Sequence, residues 1–309
     1  THLFGGSAGR EGAALQIGGS LGCYIGRAFR LDDKDMRLAT LCGMSAVFAA
    51  LFGTPLTATL FALEVISVGV IYYSALVPCI VASLFALEMA NIFGIAPTHF
   101  DVVIEPISEL MLLKVSALAI VCSLMSTVFC LSMHKTEHLF AKLIKNPYLR
   151  IAAGGALVVL ITAILDTGDY NGAGMNIIKR AIEEGQAKPD AFFWKLILTA
   201  ITIGCGFKGG EVVPTFFIGA TLGCVLGSLL GIPTGFAAAL GLICVFCGAV
   251  NCPVASIVLS IELFGSTDLV YFALACGIAY MLSGYFGLYS SQKIMYSKLK
   301  AEFINIHAK

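Results

Sequence analysis

The chain has 309 residues, of which 58% are hydrophobic and 12% charged, about half the roughly 25% charge of soluble domains. Nineteen basic and nineteen acidic side chains cancel, so no basic face argues for nucleic acid. Eleven cysteines fall almost wholly inside apolar stretches, where they read as small packing residues rather than a disulfide framework.

In chain order, Thr1 to Phe4 run straight into a glycine-rich turn without a leading apolar segment, the start expected of a chain whose first helices are missing. Residues 13–29 form the first expected helix, closed by the charged loop 30–37. Residues 38–52 form the second, cut by Gly53, Thr54 and Pro55, and 56–68 the third. Several such pieces fall short of the roughly 20 residues that a full crossing needs. Short interrupted helices mark broken-helix transporters, whose half-helix ends meet at a site within the membrane. Stretches 72–93 and 110–133 are long enough to span, with a polar link at 91–109 between them. Further apolar pieces follow at 151–165, 192–207, 213–230, 236–250, 254–264, 270–286 and 288–303, with an amphipathic stretch at 175–184. The expected division is a first repeat over 1–133, a charged link over 134–149, a second repeat over 150–287 and a C-terminal helix over 288–309. Lys293, Lys298, Lys300 and Lys309 favour a cytoplasmic C-terminus.

The chain repeats itself. Ile17 to Cys23 matches Ile218 to Cys224, and Gly18, Gly22 and Gly26 correspond to Gly219, Gly223 and Gly227 at an offset of 201 (219 − 18). Pro55 and Glu64 correspond to Pro253 and Glu262 at an offset of 198 (253 − 55), so three residues are deleted between the helices. The spacing leaves open whether the repeats are parallel or inverted.

Each repeat has a helix entered through a glycine-rich turn carrying a carboxylate, Gly9-Arg10-Glu11-Gly12 in one and Gly209-Gly210-Glu211 in the other. A helix start offers unpaired N–H groups and the positive end of the macrodipole, and glycines let a ligand approach them. Two such starts would hold an anion without a lysine or arginine lining the site. Glu11 would occupy the anion's place and leave it on protonation, against the plainer reading of an N-terminal cap. Glu211 stands near Lys208, so a local ion pair competes with a functional role. Glu64 and Glu262, placed alike in the two repeats, read as bonding backbone amides. His134, Glu137 and His138 fit a zinc-binding H-x-x-E-H pattern without a third ligand, and Cys244 and Cys247 lie within an apolar helix, where packing is favoured. The glycine stripe reads as close packing between neighbouring helices.

On these residues the chain resembles the CLC family of chloride channels and proton-coupled anion antiporters. Gly9-Arg10-Glu11-Gly12 is similar to the family's G-[KR]-E-G-P signature, and Gly210 to Pro214 to its G-x-F-x-P signature. The stretch 55–64 and Leu288, Tyr289 and Ser290 also fit. The resemblance implies an all-α polytopic membrane protein, a CLC-type inverted repeat with broken and re-entrant helices, a homodimer, and one anion pathway per subunit. It implies that Glu11 is the gating and proton glutamate, that Gly12, Ala13, Glu211 and Val212 face the anion, and that Tyr289 offers its hydroxyl. Three departures resemble the fluoride/proton antiporter branch. Ala13 stands where chloride-selective members have proline, Glu211 replaces an apolar residue, and Val65 stands where proton-coupled chloride members have an internal glutamate. Glu211 then becomes a possible coupling acid.

The expected activity is proton-coupled halide transport, with fluoride export favoured, in a bacterial inner membrane and without metal or cofactor. A chloride channel or chloride/proton antiporter is the alternative within the family. An intramembrane metalloenzyme and an organic-anion transporter are the alternatives outside it, the latter opposed by the lack of buried lysine or arginine in the short helices, with Lys208 as the exception.

Overall fold

A computed structural model describes residues 1–103, 106–266 and 269–309. Helices dominate it: α1 (Glu11–Ala28), α2 (Asp33–Phe52), α3 (Pro55–Glu64), α4 (Leu76–Ile92), α5 (Glu109–Leu143), α6 (Pro147–Leu165), α7 (Met175–Lys179), α8 (Ala191–Gly204), α9 (Val212–Leu230), α10 (Thr234–Val250), α11 (Pro253–Phe264) and α12 (Leu269–Leu282). Among the described residues, α2, α5, α6, α9 and the stretch Tyr73–Ile92 are long and apolar enough to cross a membrane. Helix α10 is buried along nearly its whole length, and α9 along most of it, as suits helices that are apolar all round. Phe48, Phe52, Phe61, Phe216 and Phe246 link α2, α3, α9 and α10 in one aromatic cluster with centroid separations from 4.8 to 6.1 Å.

The glycine stripe packs α1 onto α2, and its copy packs α9 onto α10. A methyl group on Gly18 would strike the carbonyl oxygen of Gly43, and one on Gly22 that of Ala39. Gly219 and Gly223 stand in the same relation to the carbonyls of Gly241 and Ala237. The partners match too, because Gly241 and Ala237 follow Gly43 and Ala39 by 198 residues (241 − 43). Removing the side chain lets two backbones approach, and the packing is within one subunit, as expected from the stripe.

Both chain breaks are built alike. Gly53 (φ 75°) and Asn251 (φ 59°) close the preceding helices in the left-handed conformation. Pro55 and Pro253 then open α3 and α11, whose N-cap residues Thr54 and Cys252 supply no side-chain cap. The missing caps come from the other repeat. Glu64 accepts from the amides of Val254 (3.3 Å) and Ala255 (2.9 Å), and Glu262 from those of Leu56 (2.9 Å) and Thr57 (2.8 Å). Each short helix thus ends in the carboxylate that caps the start of the other, a placement the helix dipole favours. The expected amide-bonding role of these two acids holds, but the amides lie about 200 residues away. Glu64→Ala is expected to cost about 2 kcal/mol, since it removes the acceptor of the Val254 amide and of the buried Ala255 amide. Thermal melting in detergent should show a lower midpoint for Glu64→Ala, and a midpoint equal to the parent's would refute the cap.

Several expected boundaries differ from the structure: α2 begins at Asp33, inside the loop expected over 30–37, and α3 ends at Glu64 rather than at 68. The charged link over 134–149 is helical as far as Leu143, so α5 runs 35 residues, about 52 Å at 1.5 Å per residue. Its charged end remains rich in good helix formers, and charge there marks emergence from the apolar layer rather than a helix stop. The C-terminal helix expected over 288–309 is a hairpin of β2 (Lys293–Tyr296) and β3 (Phe303–His307). Strand β2 also pairs, in parallel, with the short strand β1 (Ser67–Val68) from the first repeat. Along β3 the isoleucines Ile304 and Ile306 are half-buried and their neighbours exposed. That period of two and the β-branched residues were the signal for a strand.

Candidate anion site

Helices α1 and α9 begin side by side. Gly9 N–H donates to Gly210 O (2.7 Å) and Gly210 N–H donates to Gly9 O (2.6 Å), an isolated antiparallel pair. These two residues are 201 apart (210 − 9), the repeat offset itself, so each bonds to its own copy. A pair in which i contacts j and j contacts i is the local form of a two-fold relation, and here the two strands run in opposite directions. By the same offset Glu11 and Val212 are copies, and each is the first residue of its helix. Glu211 is therefore the copy of Arg10, one position earlier than the pairing of the two glutamates suggested.

Glu11 is 5% exposed. Its carboxylate folds back over Gly9, where a methyl group would collide with Oε2, and Oε2 has no hydrogen-bond partner. The first bond within α1 is donated by Ala14 to Arg10 O (3.1 Å). The amides of Glu11, Gly12 and Ala13 thus precede the helical ladder. Gly210 faces them: a methyl there would lie 2.6 Å from Gly12 N and 3.2 Å from Glu11 N. Since Gly210 has no positive φ, space rather than backbone conformation requires a glycine. In α9 the first bond is donated by Thr215 to Glu211 O (3.1 Å). The amides of Val212 and Val213 precede it, and Pro214 has no N–H. Gly12 and Glu211 are half-buried, Val212 is buried, and Ala13 is exposed.

Tyr289 stands in the loop between α12 and β2, half-buried against the main core. Glu11, Gly12, Glu211 and Val212 therefore gather at the junction of the repeats, and Tyr289 stands on a loop that Leu288 N–H ties to Ala249 O near the end of α10. The ion pair between Glu211 and Lys208 is not formed among the described residues, and Lys208 is exposed. The H-x-x-E-H residues lie within one turn of α5. His134 Nε2 bonds Gly287 O (2.9 Å), bracing the loop that carries Tyr289, while His138 is exposed. No group of three metal-ligating side chains exists among the described residues.

One residue escaped the sequence reading and overturns part of it. Lys195, on α8, is fully buried, although buried lysine or arginine was not expected in the short helices. Its Nζ donates to the carbonyls of Tyr170 (3.1 Å) and Gly172 (2.6 Å) and lies 5.0 Å over the Phe217 ring. Ser7, which leads to Glu11, is tied to the same loop and helix: Ser7 Oγ donates to Tyr170 O (2.8 Å), and Ser7 N–H donates to Thr202 Oγ1 (3.2 Å). The signal was available, since a lone charge in an apolar stretch is functional by default. It was overlooked because the helix starts alone accounted for anion attraction.

Comparison with known proteins yields consistent matches. The family model described as voltage gated chloride channel matches residues 1–284. A chloride/fluoride channel protein of Pseudomonas syringae pv. tomato is 40% identical over 305 residues, covering 96% of this chain and 67% of that protein. A voltage-gated ClC-type chloride channel of Escherichia coli is 25% identical over 298 residues, 90% of this chain and 69% of that protein. Among solved structures, a CLC-type fluoride/proton antiporter superposes with a TM-score of 0.91 at 34% identity, covering 94% of this chain and 74% of the other. A slow cyanobacterial chloride/proton antiporter matches with a TM-score of 0.73 at 20% identity, covering 91% and 69%, a likeness of fold.

Proposed function

The chain belongs to the voltage-gated chloride channel family, and from that membership we propose that it exchanges halide ions for protons across a membrane, with fluoride as the preferred ion. The observation that carries the reading is the placement of Glu11. Its buried carboxylate lies folded back at a helix start, with one oxygen unpartnered and open amides alongside.

The chemistry follows from that placement. An ionised Glu11 is attracted to the positive end of α1 and fills the space an anion would take. Protonation removes the charge, the side chain swings out, and a halide takes its place on the amides of Gly12, Ala13, Glu211 and Val212. Tyr289 offers a hydroxyl at the other end of that group. Neutral donors suit transport, because a bare cation in a low-dielectric site would hold the ion too tightly to release it. Lys195 is fixed by its bonds to two carbonyls, and when protonated it adds positive charge to the same repeat junction. Glu211 serves as the second acid in coupling, in a chain where Val65 offers no carboxylate. The name of the fluoride/proton antiporter at 34% identity supports fluoride and proton exchange. Chloride transport is the second reading, favoured by the naming of the Pseudomonas relative for both ions. The working unit is a homodimer in a bacterial inner membrane. The exposed apolar residues of α6, such as Val159, Leu160 and Ile164, face lipid or the second copy.

Electrode recordings of efflux from liposomes loaded with equal fluoride and chloride test the preference. Faster fluoride efflux, accompanied by proton uptake, is the expected result. Chloride efflux equal to or faster than fluoride would sink the fluoride assignment and leave chloride transport standing.

A further inference from the structure

The hairpin after Tyr289 is bound to both repeats through a buried polar network. Gln292, 2% exposed, donates through Nε2 to Val65 O (2.8 Å) at the end of α3 and to Val250 O (2.9 Å) at the end of α10. Its Oε1 accepts from Asn251 Nδ2 (2.9 Å), and Asn251 Nδ2 also donates to Phe286 O (3.0 Å). Lys298 completes the network. Its ammonium donates to Asn251 Oδ1 and to Ser283 Oγ (2.9 Å) and lies 4.5 Å over the Tyr280 ring. Every polar atom of the Asn251 and Gln292 side chains is thus engaged, so the arrangement is over-determined.

The same network holds the loop that presents Tyr289. Gln292 N–H donates to Tyr289 O (2.9 Å), and Leu288 N–H donates to Ala249 O (3.0 Å). Ala308 N–H donates to Gln292 O (3.0 Å), Lys309 N–H to Tyr285 O (2.8 Å), and Gly287 N–H to Lys309 O (3.2 Å). A methyl on Gly287 would lie 2.8 Å from Asn251 Nδ2, so the loop passes directly over the network. Residues 285–292 are therefore held between the helix break at Asn251 and the far strand of the hairpin.

We infer that the β2–β3 hairpin positions Tyr289 for the anion, and that Lys298 is the positioning residue pinning the hairpin to the break between α10 and α11. The inference rests on the reading that Tyr289 contacts the transported halide. A pin acting through Tyr289 sets how well the ion is held there, so losing it weakens apparent affinity more than maximal rate.

Fluoride efflux from liposomes, measured against fluoride concentration, tests this with Lys298→Met, Lys298→Arg, Tyr289→Phe and the double variant Lys298→Met with Tyr289→Phe. Lys298→Met is expected to raise the half-saturating concentration about fivefold, Lys298→Arg to restore most of it, and the double variant to match Tyr289→Phe alone. If Tyr289→Phe changes transport but Lys298→Met lowers only the melting temperature, the positioning role is overturned while the anion reading stands. Additive effects in the double variant would overturn it as well. If Tyr289→Phe leaves transport unchanged, the assignment of Tyr289 to the anion fails and takes the inference with it. Should Lys298→Met not fold, Ser283→Ala removes one acceptor of the pin and is held to the same outcomes.

Discussion

Glu11→Gln is expected to abolish proton pumping driven by a fluoride gradient while leaving the protein folded. The amide side chain keeps the size of the carboxyl group but cannot gain or lose the proton. The unpartnered position of Oε2 means that few protein contacts are lost by the change. In liposomes with an outward fluoride gradient, proton uptake should fall to the level of empty vesicles. Uptake that persists at even a tenth of the parent rate would require another group to carry the proton, and Glu211 would be the first to examine. A large drop in melting temperature would instead make Glu11 a structural cap, the plainer reading of a carboxylate at a helix start.

Gly210→Ala is expected to have the second largest effect, and the contrast with Gly9→Ala makes it informative. At Gly210 the added methyl meets the backbone nitrogen of Gly12 at 2.6 Å, and backbone at a paired helix start cannot move away cheaply. A cost of about 1–3 kcal/mol should come with fluoride efflux reduced at least about tenfold, because the methyl fills the space in front of the amides. At Gly9 the methyl meets first the far end of the Glu11 side chain, and then Gly210 O at 3.1 Å and Pro214 Cδ at 3.3 Å. Gly9→Ala should therefore cost less stability than Gly210→Ala, since its closest clash is with a side-chain end, and weaken the dependence of transport on protons. Melting curves and efflux traces on both variants check the pair. Equal effects on stability and flux would show that the two glycines serve backbone packing alone.

The repeat was readable because its glycines are fixed by contact rather than by conformation. Gly18, Gly22, Gly219 and Gly223 each meet a carbonyl oxygen of the neighbouring helix, so their spacing persists in both copies. The carboxylates Glu64 and Glu262 were readable as a symmetric pair for the same reason. Their partners were not, because a bond from Glu64 to Val254 and Ala255 joins residues that no local pattern connects. The pairing of Gly9 with Gly210 was implicit in the offset of 201, but only the backbone hydrogen bonds place it at the junction. The hairpin was misread as a helix because one apolar run near the end of a helical protein resembled the others. Alternation in β3 and the distant partner β1 decided otherwise. Lys195 was visible in the sequence, and its burial against Tyr170 and Gly172 depends on a loop folding back over α8.

We propose that the Glu11 carboxylate and a halide compete for the same amides at the start of α1. Isothermal titration of fluoride into the purified parent and into Glu11→Gln measures that competition directly. Removing a competitor that occupies the site most of the time should tighten apparent binding by at least about tenfold. Equal affinities in the two proteins would contradict the claim and place the anion elsewhere than in the space now held by Glu11.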